Sequence, residues 1–294
     1  MNPYVRLDRR PDLVDGALVV AFQGWNDGGE AATSAARYLV EQWEAVSIGT
    51  IDPEEFYDFQ VNRPTVRLEG GVSRVIDWPR PELFAASVGG RGVVVLIAPE
   101  PNVRWRTFTE TILDACRDLG IGLMVTLGGF LTDVAHARPV PVVGSARNED
   151  EAGRLGLAHS RYEGPTGIVG VLHDAANRSG LASVSLWAAV PHYLPMAVNP
   201  KAALALVERT SRLLGVPLET EPLAGMAERW ERGVARVLEE NEELGEYVRR
   251  LEAAAEAADE QGLSPEGPVP SGESIAAELE RYLQERAGGE GSGP

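Results

Sequence analysis

The chain has 294 residues, of which 44% are hydrophobic and 24% charged, and it carries a formal net charge of −17. That is enough apolar sequence to bury a core, while the charge argues against a nucleic-acid or anionic-membrane surface, because phosphates are repelled. A single cysteine excludes a disulfide framework and any Cys₄ or Cys₂His₂ zinc site.

The first segment, MNPYVRLDRRPDL, lacks the apolar centre of a signal peptide, and no run approaches the roughly 18 apolar residues of a membrane helix. A cytoplasmic protein is expected, with neither nucleic acid nor membrane as partner. Short apolar runs then alternate with amphipathic stretches, the pattern of layered α/β proteins. Ala17 to Phe22 reads as a buried strand. It leads through Gly24-Trp25-Asn26-Asp27-Gly28-Gly29 into a helix from about Glu30 to Trp43, with a strand over Val46 to Ile51 beyond. Glu54 to Trp78 is rich in aromatic and β-branched residues and is expected to add a hairpin to the same sheet. Val93 to Ala98 is the clearest central strand, continuous and β-branched.

A helix follows near Thr107 to Leu119, then a strand over Leu123 to Leu127 ending in Gly128-Gly129. A short strand at Val140 to Val143, a helix over Gly167 to Asn177 and a strand over Ala182 to Ala189 come next. Pro200 to Leu214 reads as a helix stopped by Gly215 and Pro217. The expected fold class is therefore an α/β, three-layer sandwich around a mixed, mainly parallel central sheet, with C-terminal helices appended. The division expected is an α/β domain over 1–218, a helical segment over 219–287 and a tail over 288–294. Residues 219–294 hold 19 acids and 7 bases, so most of the negative charge sits on that last part.

From Leu223 onward, apolar residues recur at spacings of four and three. Leu223, Trp230, Val237, Leu244 and Leu251 fall at one heptad position, and Ala227, Val234, Asn241 and Val248 at the other. β-branched residues at a, leucines at d and one Asn at a are what parallel coiled coils use to fix register. The same pattern also describes one amphipathic helix packed on its own body. A further helix is expected over Ser274 to Arg286, after a Pro/Gly/Ser-rich linker from Gly262 to Gly272.

The loop Gly24 to Gly29 stands where open α/β sheets bind ligands, at a strand's carboxyl end and a helix's start. It is neither a P-loop nor a dinucleotide fingerprint. Trp25, Asn26 and Asp27 are candidate ligand contacts, or equally a tight turn in which Asn26 or Asp27 caps the helix. Asp58, Arg63, Glu100, Arg104 and Arg106 belong to loops that can reach the same rim, where carboxylates and arginines bind small anions or form structural ion pairs. His136, His159, His173 and His192 show no ligand spacing, Cys116 falls on the apolar face of its helix, and Ser34, Ser145 and Ser160 lack a nucleophile elbow. No catalytic residue, metal or cofactor is therefore assigned.

Several of these segments together resemble one family. Gly24-Trp25-Asn26-Asp27-Gly28-Gly29, Tyr57-Asp58-Phe59 with Arg63-Pro64, Glu100-Pro101 with Arg104-Trp105, and Val190-Pro191-His192-Tyr193 occur in the order found in the PAC2 family, named for proteasome assembly chaperone 2. The resemblance covers most of residues 15–215. It implies an α/β sandwich similar to nucleoside phosphorylases and hydrolase-like relatives, assembled into homo-oligomers, with proteasome-related partners in eukaryotic and archaeal members. The hydrophobic–Tyr–any tripeptide by which archaeal relatives dock is not matched by Ser292-Gly293-Pro294, so proteasome binding is implied by analogy only. The function expected is a non-catalytic scaffold or assembly-chaperone-like protein that binds itself and other proteins. The alternative is a small-molecule enzyme or sensor using Trp25, Asn26, Asp27, Arg63, Glu100 and Arg104. The oligomer contact is expected on Trp230, Val234, Val237, Asn241, Leu244, Val248 and Leu251.

Overall fold

A computed structural model describes residues 2–146, 152–153, 157, 163–194 and 198–260. The helix expected over 274–286, the linker over 262–272 and the tail over 288–294 lie outside these residues, as do His159 and Ser160. An eight-stranded sheet has the order β1-β3-β6-β7-β2-β8-β10-β9. The strands are β1 (Val5–Leu7), β2 (Gly16–Gln23), β3 (Val46–Ile51), β6 (Glu82–Val88), β7 (Arg91–Pro99), β8 (Ile121–Thr132), β9 (Val142–Ser145) and β10 (Ala182–Pro191). A separate two-stranded ribbon is formed by β4 (Thr65–Glu69) and β5 (Ser73–Asp77). Six α-helices are found among the described residues: α1 (Ala31–Gln42), α2 (Trp105–Leu119), α3 (Ile168–Ser179), α4 (Pro200–Leu214), α5 (Glu221–Glu240) and α6 (Glu242–Glu260).

The four central strands β7, β2, β8 and β10 pair in parallel and are buried on both sides. Every residue of β2 from Gly16 to Phe22 is buried, which is why its sequence is apolar without alternation. Ala17, Val19 and Ala21 face α1 and α4, while Leu18, Val20 and Phe22 face α2 and α3. Helices thus cover both faces. The α4 ends are set locally. Asn199 Oδ1 accepts from Ala202 N at 2.9 Å, Pro200 occupies the first turn, and Gly215 closes the helix at φ 65°.

Three expectations need correction. The sheet is mixed but not mainly parallel in its pairing, since β1, β3, β6 and β9 all join it antiparallel. On one flank the change of direction starts at β6, whose hairpin with β7 turns at Gly89 and Gly90, both at positive φ, and on the other β9 pairs antiparallel with β10. Two glycines between strand-like runs favour such a turn. The hairpin expected from the aromatic segment does form, yet β4 and β5 pair only with each other and never enter the main sheet.

The third correction concerns the C-terminal seam. It is not one uninterrupted helix, because the backbone at Asn241 is extended (φ −127°, ψ 95°) and separates α5 from α6. Asn241 Oδ1 accepts from Leu244 N at 3.1 Å, so this residue caps α6. Leu223, Ala227, Val234 and Val248 are buried within the chain itself, Trp230, Leu244 and Leu251 are half-buried, and Val237 and Asn241 are exposed.

Candidate functional site

The loop after β2 is fastened down from three sides. Asp27 Oδ1 accepts from the amides of Ala32 and Thr33 at 2.8 and 3.2 Å, and Thr33 Oγ1 donates to its second oxygen. Asp27 thereby caps α1 across the short 3₁₀ turn Gly28–Glu30. Burial pushes its carboxyl above the ordinary carboxylate range, against the pull of those hydrogen bonds. Asn26 O accepts from Gly129 N at 2.9 Å, so the loop docks on the end of β8. That approach demands glycine, since a Cβ on Gly129 would lie 2.6 Å from Gly28 O.

Glu100, just beyond β7, reaches across to the same loop. Its Oε1 accepts from Asn26 Nδ2 at 2.7 Å and from the Ile168 amide at 3.0 Å, placing a carboxylate on the N-terminus of α3. Asn26 is fully buried, and its Oδ1 has no hydrogen-bond partner among the described residues. Gly167 lies against it, where a Cβ would come within 2.2 Å of Oδ1. The structure therefore unites Asn26, Asp27 and Glu100 with a segment, Gly167-Ile168, that sequence reasoning assigned no part in the site.

The other candidates are elsewhere. Trp25 projects outward, 67% exposed. Arg104 forms an ion pair with Glu55 and lies over the Tyr4 ring, 5.7 Å from its centroid, rather than meeting Glu100. Arg63 and Arg106 are exposed. Asp58 Oδ1 accepts from Gln60 N at 2.8 Å and shapes its own turn. Tyr57 donates to Pro99 O at 2.8 Å and Trp105 Nε1 donates to Pro101 O, while Tyr57 and Phe56 pack on Phe108. The tyrosine and tryptophan thus anchor loops by their polar ends and bury their rings. Cys116 is in the core, its thiol pushed up to about 12 by burial.

A second polar cluster sits where the C-terminal helices meet the body. His192 Nδ1 is 2.8 Å from Asp133 Oδ1, and Tyr247 of α6 donates to the same oxygen at 2.9 Å. Tyr193 OH meets His136 Nδ1 at 3.0 Å and accepts from its amide at 2.8 Å. Lys201, the chain's only lysine, donates to His136 O at 2.8 Å and pairs with Glu231 of α5. Trp230 packs edge-on against the His136 ring. Nothing in the linear spacing of these residues announced their meeting, because they come from β8–β10 loops, α4, α5 and α6. Among the described residues, no group of three His, Cys, Asp or Glu side chains could hold a metal ion, and no helix is long and apolar enough to cross a membrane.

Fold and loop geometry define the class: an α/β protein with an eight-stranded mixed sheet, C-terminal helices, and a strand-end rim tied together by its own carboxylates. Within that class the chain belongs to the PAC2 family, whose model matches residues 21–238. A PAC2 family protein from Streptomyces avermitilis is 45% identical over 80% of this chain and 100% of its own, with a TM-score of 0.74. A proteasome-assembly chaperone homologue from Mycobacterium tuberculosis is 44% identical over 79% and 99%, with a TM-score of 0.73. An archaeal proteasome activator from Pyrococcus furiosus shares the fold at a TM-score of 0.64 and 16% identity, over 79% and 97%. A search of curated proteins found no match.

Proposed function

We propose that this chain is a non-catalytic scaffold of assembly-chaperone type, which associates with itself and holds other proteins. The observation that carries this reading is how the rim's reactive groups are used. Asp27 holds α1, Glu100 holds Asn26 and α3, and Arg104 holds Glu55, so each of these three charged groups braces a loop by contacts within the chain. A catalytic acid or base needs a proton-transfer partner in reach of substrate, and a brace does not supply one. The chaperone-homologue relative at 44% identity supports the same direction and makes proteasome subunits the first partners to try. The acidic C-terminal helices offer such partners a charged surface. Native mass spectra of the full chain, alone and mixed with proteasome α- and β-subunits of the same organism, test this. Homo-oligomers that take up proteasome subunits are expected; a monomer that ignores them overturns the reading.

A second reading rests on Asn26 Oδ1. A buried acceptor without a partner, beside Gly167 and a helix N-terminus, suits a small donor molecule entering the rim of a phosphorylase-like fold. A reproducible small mass retained on the oligomer, and lost in Asn26→Ala, would favour that reading over the scaffold.

A further inference from the structure

The two faces of the sheet are unevenly covered at β6 and β7. On the side that α2 packs, Leu83 and Ala85 of β6 and Leu96 of β7 are buried. On the opposite side their neighbours Phe84 and Ile97 are only half-buried, and they line an open cleft of about 590 Å³ between α1 and the root of the β4–β5 ribbon. That volume lies within the roughly 300–1,000 Å³ of small-molecule sites. Arg37 and Val40 come from α1, and Ile76, Trp78 and Arg80 from the chain leaving the ribbon. Trp78 is steadied by Phe59, edge-on at 4.8 Å, and remains half exposed. Gln23 and Pro99, paired at the carboxyl ends of the parallel strands β2 and β7, belong to the same lining. Open α/β sheets bind ligands outside such strand ends.

The charges around this cleft are unequally committed. Asp77 is paired with Arg67 at 2.8 Å, and Glu82 with Arg80 at 3.4 Å. Arg37 is exposed and forms no ion pair with any described residue. One guanidinium, its donor fork uncommitted, therefore borders an aromatic and aliphatic floor. We propose that the cleft binds a small amphipathic organic monoanion, with Arg37 holding the acidic group and Trp78, Phe84 and Ile97 covering an apolar body. A neutral apolar ligand leaves Arg37 unused, and a cation is repelled by it. A bare inorganic anion leaves the floor wet, while a polyanion meets Asp77 and Glu82 with a single free cation to offset it. The site is distinct from Asn26 and from the C-terminal helices, so it stands independently of both readings above.

Fluorescence titration of the full chain with two dyes of one ring skeleton tests this: anionic 8-anilinonaphthalene-1-sulfonate and uncharged N-phenyl-1-naphthylamine. The wild type should bind the sulfonate saturably, at one dye per chain. Arg37→Gln changes an exposed side chain and should keep the wild-type circular dichroism. It should bind the sulfonate weaker by about tenfold or more, the size of one charge-assisted hydrogen bond, while its affinity for the uncharged dye is unchanged. Arg37→Lys should recover part of the loss, and Trp78→Ala should weaken both dyes. Sulfonate binding that does not saturate, equal affinity in Arg37→Gln and the wild type, or a parallel loss of both dyes in Arg37→Gln overturns the proposal.

Discussion

Glu100 Oε1 lies 2.7 Å from Asn26 Nδ2, joining the loop after β7 to the loop after β2, and the same oxygen takes the first amide of α3. One carboxylate oxygen therefore organises three segments separated by 74 and 68 residues. Glu100→Ala leaves both donors without an acceptor inside a partly buried junction, a loss of about 1–3 kcal/mol. Glu100→Gln keeps an acceptor oxygen and should cost less. Urea denaturation of the two variants measures the difference, and equal stability of Glu100→Ala and the wild type would refute the brace.

Gly167 and Asn26 should be energetically coupled. A methyl group at Gly167 is blocked by the Asn26 amide, so Gly167→Ala is expected to destabilise by about 1–3 kcal/mol. In the Asn26→Ala background the obstruction is gone, and the same change should cost much less. A double-mutant cycle by chemical denaturation reads this directly, strict additivity being the contrary result.

Lys201 ties the C-terminal helices to the body, through His136 O and Glu231. Lys201→Met strands the half-buried Glu231 carboxylate, and a loss of about 1–3 kcal/mol is expected. Limited proteolysis should then cut α5 and α6 faster than in the wild type, while the α/β body resists as before. Truncation after Pro222 removes these helices and is expected to lower the mass of the assembly in light scattering; an unchanged mass would remove them from the oligomer contact.

Acid should weaken the fold through two histidines. Burial holds both His173 and His136 below their ordinary value of about 6.5. His173 Nδ1 is 2.8 Å from Ser183 Oγ, and Asn177 Nδ2 approaches Nε2 at 3.2 Å, a set suited to the neutral ring. As pH falls below about 6.5 the unfolded chain takes up protons that the native histidines resist, so stability declines through that window. The drop in urea midpoint between pH 7.5 and 5.5 should shrink in His173→Gln and again in the double variant with His136→Gln. Parallel curves for all three proteins would assign the acid response to other groups.

Elements whose signals are local were legible in the sequence. Pro200–Leu214 is bounded by an Asn cap, a proline and a C-terminal glycine, all within four residues of the helix they delimit. Continuous apolar runs announced β2 and β7 because strands buried on both faces have no polar side to show. The placement of Cys116 in the core followed from helical spacing alone. The family resemblance carried by the loops after β2, β7 and β10 likewise lies in ordered local motifs, and the match over residues 21–238 agrees with it.

Pairing and convergence were settled only in three dimensions. Strand direction at the flanks depends on the Gly89-Gly90 turn and on which edge remained free for β3, neither of which hydrophobic periodicity reports. The heptad spacing read through Asn241 as one helix, but a side chain that can cap as readily as it can sit in a seam let tertiary contacts on either side bend the chain there. Arg104 and Glu100 share the loop that follows β7 at the rim, yet the left-handed turn at Arg104 sends its side chain to Glu55 and leaves Glu100 to meet Asn26 and Ile168. Composition and local pattern fix which segments become helices and strands, because those depend on neighbouring residues. The partners of a polar side chain depend on segments far along the chain, and only the folded sheet brings those within the 3 Å over which a hydrogen bond acts.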